Sequence, residues 1–284
     1  MDRVVAVIEL LAAHPERGFS LTEVCRRLDL NKATAHALLA SLTEKAWLLR
    51  HPLDKTYTLG PGLVAVAGAA AARQLELVDY ARGEMRRLAD DLDVQVVASA
   101  VRGDEIVLLA VAGAARPLGV HVHPGQRVPL TPPVGTVFLA WASPAVIDRW
   151  LRRLGPEASE DDLERYRRAL AAVRRRGYAV SLEADARVLL ERALAEGDRP
   201  IGEVLGELGR QDYLLLELEP AHSYRLSMVA APVFGPEGNV ELALTLFDLP
   251  GQTAADQVPE LGERLLDAAA TVTKAIGGRP PEPE

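Results

Sequence analysis

Three side chains suited to reading a nucleic acid stand close together in the stretch NKATAHALL: the ammonium of Lys32, the hydroxyl of Thr34 and the imidazole of His36. An ammonium neutralises phosphate, whereas a hydroxyl or an imidazole exchanges hydrogen bonds with base edges. Ala33, Ala35 and Ala37 alternate with them and are small enough to let a helix approach a groove closely. Other candidates for chemistry are weaker. His121 and His123 stand at i, i+2 on one face of an extended run, a spacing that metal sites use, but no third ligand accompanies them. Gly202, Gly206 and Gly209 do not follow GxGxxG, and no lysine completes a phosphate loop. Cys25, the only cysteine, excludes a disulfide framework or a thiolate zinc cluster, and it falls on an apolar stripe that should bury it. No Ser–His–Asp order emerges. The sequence therefore predicts a protein that is not an enzyme, with no catalytic residue, cofactor or metal.

The elements that must hold Lys32, Thr34 and His36 are legible in the first sixty residues. Val4, Val7, Ile8 and Leu11 form one stripe of a helix, which HPERG at 14–18 ends. Ser20 stands three residues before Glu23, the spacing of a capping box, and starts a second helix with the stripe Leu21, Val24, Cys25 and Leu28. DLN at 29–31 is a tight turn whose Asn31 caps a third helix, and Leu38, Leu39 and Leu42 should face the core. Two short helices joined this way form a helix-turn-helix, about 21–40, whose second helix lies in the major groove of DNA. WLLRH and TYTLG flank the turn PLDK as a β-hairpin, a wing that would carry Arg50, His51 and Lys55 near phosphates.

Charge alone would not have suggested this. The 284-residue chain carries a net −8, which argues against a protein that coats nucleic acid nonspecifically. Residues 1–60 hold eight Lys/Arg and seven Asp/Glu, a net of +1, and the rest carries −9. With 49% hydrophobic and 25% charged residues the chain is globular and long enough for two domains. The start MDRVVAVIELL lacks the pattern of a signal peptide. The longest apolar run, 63–72, falls far short of the roughly 20 residues of a membrane span. A cytoplasmic protein without membrane contact is expected.

SLTEVCRRLDLNKATAHALLASLTEKAWLLR, followed by YTLGPGL, resembles the DNA-binding domain of the IclR family of bacterial transcriptional regulators over about residues 3–65. The resemblance implies a DNA-contacting set of Ser20, Thr22, Lys32, Ala33, Thr34, His36, Ala37, Arg50 and Lys55. The family often has Arg at the position of Ala37, so one expected contact is missing. Further on, GQRVPL with VGTVFLAWAS, RRRGYAVSLE and MVAAPVFGPEGNVELALTL resemble that family's effector-binding domain, a GAF-like fold.

The pattern after residue 60 agrees with such a domain. Residues 61–92 read as helix, VQVVASAVR and IVLLAVAG as a hairpin, and LGVHVHPGQRVPL as extended chain. Helices follow at about 134–154 and 160–176, then a strand at GYAVSLE, a hairpin turning at GPEGN and a final helix at about 254–276. The fold expected is α+β: a winged helix-turn-helix domain at 1–60, a linker helix at 61–75, and a GAF-like domain with an antiparallel sheet at 76–279. A tail at 280–284, within the closing RPPEPE, should be disordered. An insertion at about 184–223, where the family has a short loop, contains two helical patterns and a strand at 213–218.

The resemblance places a pocket between the loop before VGTVFLAW and the facing hairpin. Relatives that bind small carboxylates line it with Asp, Cys and two Ser. Position by position this chain has Ser181, Met228, Thr245 and Phe247, beside Val134, Gly135 and Thr136 of the loop and helix start, and Pro132 and Pro133 remove two backbone donors. That exchange implies a small organic effector larger or more apolar than pyruvate. The implied protein is a ligand-responsive regulator, repressor or activator, that binds near-palindromic double-stranded operator DNA as a homodimer or homotetramer. The alternative is a ligand sensor or scaffold acting through a protein partner with weak or no DNA binding, which the alanine at 37 favours.

Overall fold

The computed structural model describes residues 2–14, 17–114, 122–183, 189, 193, 201–211, 213–247, 249 and 251–281, with the backbone alone for 2, 67–76 and 202. The chain divides into two compact units, Met1–Leu75 and Glu76–Glu284.

The first unit contains α1 (Asp2–Ala12), β1 (Phe19–Ser20), α2 (Leu21–Arg27), α3 (Lys32–Glu44), β2 (Leu48–Arg50) and β3 (Thr56–Leu59). Val7 and Leu11 of α1, Val24 of α2, and Leu39 and Leu42 of α3 meet Phe19, Leu48 and Tyr57 in one core. Leu10 packs on this core where Ile8 was expected. α2 starts at the capping box: Glu23 N–H donates to Ser20 Oγ at 3.3 Å and Ser20 N–H donates to Glu23 Oε2 at 2.9 Å. Asp29, with φ +48°, makes the sharp turn between α2 and α3, and Asn31 Oδ1 accepts from Thr34 N–H at 2.8 Å. The sheet has a third strand that the hairpin pattern did not suggest: β1 pairs with β3, Phe19 opposite Tyr57. Two residues are too few to show a period.

YTLGPG closes this unit through its glycines. Gly60 N–H donates to Trp47 O at 2.7 Å and Gly62 N–H to Ala46 O at 2.8 Å. A Cβ on Gly60 would lie 2.4 Å from Ala46 O, a backbone atom that has no rotamer by which to retreat.

Helix α4 (Gly62–Leu92) begins in the first unit and continues into the second, so the linker expected at 61–75 is the first part of a 31-residue helix. The second unit adds β4 (Gln95–Arg102), β5 (Glu105–Ala112), β6 (Arg127–Pro129), α5 (Thr136–Leu139), α6 (Pro144–Leu151), α7 (Glu160–Arg176) and β7 (Ala179–Leu182). Then come α8 (Ile201–Gly209), β8 (Ser223–Tyr224), β9 (Leu226–Phe234), β10 (Val240–Phe247), β11 (Thr253–Ala254) and α9 (Gln257–Ala275). The six-stranded sheet has the order β6-β5-β4-β10-β9-β7 with every pair antiparallel. One face carries Val96, Val229, Leu244 and Leu246 against Met85 and Leu88 of α4 and Leu265 and Val272 of α9. The other carries the small Ala179, Ala230 and Ala243, which leave room for Phe138, Trp150 and Tyr166 of α5, α6 and α7. Both faces of the sheet are therefore covered.

Several expectations are corrected. The helix expected at 134–154 is interrupted over 140–143: α5 ends at Leu139, Ser143 is extended, and Pro144 starts α6 at a position where its missing N–H costs nothing. The strand expected at 213–218 is a single bridge, Leu214 opposite Ser181, whose neighbouring carbonyls at 215 and 216 accept from Arg176. Arg279 is not disordered: its N–H donates to Gly235 O and its Nε to Pro236 O, both at 3.2 Å. Cys25 and Leu38 are half-buried and stand outside the core of their unit, whereas Ala35, expected at the groove, is fully buried. Helical patterns at 184–188 and 194–200, His121 and residues 282–284 lie outside the described residues.

Gly60→Ala should lower the stability of the first unit by on the order of 2 kcal/mol, because the clash is with backbone. Calorimetric melting of the full chain should show the transition of that unit shifted down and the other unchanged; an unshifted transition would contradict the close approach.

Candidate DNA interface and effector site

Burial of Ala35, Leu39 and Leu42 at i, i+4, i+7 turns the opposite side of α3 outward. Ala33, His36 and Ala37 are exposed there, Lys32 is exposed as the first residue of the helix, and Thr34 is half-buried at the edge. Ala40 is exposed on the same stripe and was missed, although its spacing of seven from Ala33 is the signal that would have found it. The first turn of α3 holds Lys32 and no acidic residue. A cation at a helix N-terminus opposes the macrodipole, so stability alone would not select it. An incoming phosphate relieves that conflict, because it is attracted by both the ammonium and the helix end.

The remaining expected contacts are differently placed. Thr22 is exposed, but Ser20 is committed to the capping box: its hydroxyl donates to Glu23 Oε2 at 2.9 Å. Arg50 on β2 is exposed, with its guanidinium 5.7 Å from the centre of the Tyr57 ring. At the wing turn, Lys55 has φ +57° and its Nζ donates to Pro52 O, while His51 Nδ1 lies 3.0 Å from Asp54. The tip is Leu53, 81% exposed.

In the second unit the strand registers gather Ser181, Met228, Thr245 and Phe247 on one sheet face. Ser181 stands opposite Met228, and Met228 opposite Phe247. Thr245 stands opposite Ala230 and Val97 in the next row. Ser181 and Thr245 are buried, and Met228 and Phe247 half-buried. Val134, Gly135 and Thr136 follow the Pro132–Pro133 segment. The Val134 carbonyl accepts from Trp150 Nε1 at 3.1 Å, and Gly135 has φ +98° with Leu130 against its α-carbon.

The described part of the insertion covers this face. Val204, Leu205 and Leu208 of α8 are buried with Tyr213 against Met228 and Val134. Arg165 of α7 ties down the end of α8, donating to Gly209 O at 3.0 Å and Gln211 O at 2.8 Å. A Cβ at Gly209 would lie 2.8 Å from Tyr166 Oη, a hydroxyl whose pKa burial pushes up to about 12. Two open concavities, about 790 and 570 Å³, flank α7 and share none of the seven expected effector residues. Among the described residues no group of three metal-ligating side chains occurs, and no helix is long and apolar enough to cross a membrane. His123 is exposed; its expected partner His121 lies outside the described residues.

Residues 1–52 match the model of the IclR helix-turn-helix domain, and residues 69–188 that of the bacterial transcriptional regulator IclR C-terminal domain, together more than half of the chain. The second match ends inside the insertion. The HTH-type transcriptional regulator BhcR of Paracoccus denitrificans is 28% identical over 188 residues, 64% of this chain, and the match spans 66% of that relative's length. A solved IclR transcriptional regulator from Alicyclobacillus acidocaldarius is similar with a TM-score of 0.65 and 25% identity, covering 98% of both chains. An IclR homologue from Microbacterium hydrocarbonoxydans, solved in complex with 4-hydroxybenzoate, is similar with a TM-score of 0.64 and 21% identity over 96% of this chain and 97% of that one. The chain belongs to the IclR family of bacterial transcriptional regulators, and its α+β fold is that of the family.

The capping box gives a pH dependence. The Ser20 N–H, the Ser20 hydroxyl and Arg17 hold the Glu23 carboxyl at about 2, below its ordinary 4.5. A carboxylate lowered by folding adds stability that is complete above pH 4.5 and lost as the pH falls through about 2. Glu23→Gln should therefore flatten the acid limb of the first unit's melting temperature between those two values, read by calorimetry at stepped pH. An acid limb as steep as in the wild type would show that other carboxylates set it.

Proposed function

We propose that this protein is a ligand-responsive regulator that binds operator DNA through residues 1–60 and a small organic effector through residues 76–279, with 61–75 as the linker between them. The carrying observation is the N-terminus of α3, where an exposed lysine, small exposed alanines and no acid prepare a helix end for phosphate and a groove. α3 would enter the major groove with Lys32 and, from the wing, Arg50 on phosphates, and with Thr34 and His36 at base edges. Thr22 and Lys55 lie at the margins of that interface, and Ser20 supports it by capping α2. A homodimer or homotetramer would present paired recognition helices, which calls for a near-palindromic operator and a cytoplasmic protein. The effector would lie on the sheet face of Ser181, Met228, Thr245 and Phe247 beside Val134, Gly135 and Thr136. With two hydroxyls and no charge among the four sheet residues, that face suits a larger or more apolar compound than pyruvate. The stripe Ala33, Ala37 and Ala40 also fits a protein surface, and this favours the second reading, a sensor that acts through a protein partner.

A mobility shift on DNA flanking the protein's own gene separates the two readings. Lys32→Ala should weaken all sequences alike and reduce the slope of log affinity against log salt by about one. His36→Ala should instead relax preference at one base position. Wild-type affinity in both variants would remove α3 from the interface. For the second unit, titration calorimetry should show 2-naphthol binding more tightly than pyruvate, and Phe247→Ser should narrow the difference; pyruvate binding as tightly as the naphthol would overturn the effector class.

A further inference from the structure

Gln95 is 3% exposed and its Oε1 has no hydrogen-bond partner; Ser181 is fully buried and its Oγ has none. The two stand at opposite ends of a single cross-strand row. Gln95 is opposite Phe247, Phe247 opposite Met228, and Met228 opposite Ser181. Directly opposed residues of antiparallel strands share a face, so all four side chains lie on the same side of the sheet. Ser227 Oγ is also buried without a partner, but the pairing of β9 with β7 skips Ser227, which leaves it outside the row. Native proteins keep few unpartnered buried polar atoms because each is costly. Two at the ends of one row, with a thioether and a phenyl ring between them, form a pattern with the polarity of a ligand.

We propose that this row is the bed of an elongated, uncharged effector. Its apolar body lies over Phe247 and Met228 beneath α8, one hydrogen-bonding group meets Gln95 and another meets Ser181. The proposal rests on the reading of the second unit as effector-binding and adds Gln95 to it. The ligand is uncharged because neither the row nor the buried residues of α8, Val204, Leu205 and Leu208, supply a counter-charge, and an unpaired charge there would be heavily penalised. Three strand spacings of ~4.8 Å separate the ends by roughly 14 Å. Two hydrogen bonds of ~2.8 Å leave roughly 9 Å between the ligand's polar groups, more than one benzene ring spans. A hydroxyl is the group of choice, since it donates to the Gln95 oxygen and either donates to or accepts from Ser181.

The test uses the full chain and three matched probes: 4,4′-dihydroxybiphenyl, 4-hydroxybiphenyl and biphenyl-4,4′-dicarboxylate. By titration calorimetry the diphenol should bind at least tenfold more tightly than the monophenol, and the dicarboxylate more weakly than either. Gln95→Leu should bring the diphenol down to the level of the monophenol and leave the monophenol within twofold. Without any probe, Gln95→Leu and Ser181→Ala should each melt no lower than the wild type, because each removes an unpartnered buried atom. A lower melting temperature in both variants would mean that the two groups serve the fold, and would overturn the proposal. Equal binding of diphenol and monophenol, or tighter binding of the dicarboxylate, would overturn it too. If Phe247→Ala weakens every probe while Gln95→Leu weakens none, the effector site stands and the row falls. If no probe binds the wild type, the effector reading falls with it.

Discussion

The rotation of α3 about its own axis is the constraint on which the surface proposed to meet DNA depends. Ala35 is fully buried, so at that point the helix backbone lies as close to the core as one methyl group allows. Leu39 and Leu42 fix the same orientation further along, and Phe19, held between α1, α2 and the sheet, gives them a rigid partner. Arg17 and Arg27 lie over the Phe19 ring at 4.8 and 5.3 Å from its centre, which closes the core against solvent. With that rotation fixed, the cost of an exposed Lys32 at a helix N-terminus is borne by the packing below it.

In the second unit the equivalent constraint is the alternation of the strands. Most large aliphatic side chains of β4, β9 and β10, among them Val96, Val229, Val233, Leu242, Leu244 and Leu246, face α4 and α9 in a continuous apolar core. The opposite face mixes alanine, serine, threonine and glutamine with Val97, Met228 and Phe247, so it is more polar. Helices α5 to α7 fill part of that space with aromatic rings, and the inserted α8 covers the strip around Met228.

Much of this was legible in the residues. The helix starts with caps read from the sequence, Ser20 with Glu23 and Asn31, lie where the sequence places them. The long strands β4, β5, β9 and β10 carry enough β-branched residues to be recognised. The readings that failed rest on weaker signals. α3 has a stripe of only three buried residues, so Leu38 and Ala35 exchange roles at a helix offset of three. The run LLLELE at 214–219 has the composition of a strand, but its carbonyls at 215 and 216 are taken by Arg176 of α7, contacts 39 and 40 residues apart that no local pattern reveals. Gln95 was passed over for the same reason. Only the registers of three strand pairs put it in line with Ser181.

The central claim is that an exposed, cation-headed helix reads a two-fold DNA sequence. Selection of random genomic fragments by the purified full chain, followed by sequencing, tests it most directly. The expected result is enrichment of a near-palindrome whose half-sites lie about 34 Å, or a multiple of that, apart along the duplex. Recovery of fragments with no shared sequence, or of none above background, would contradict it.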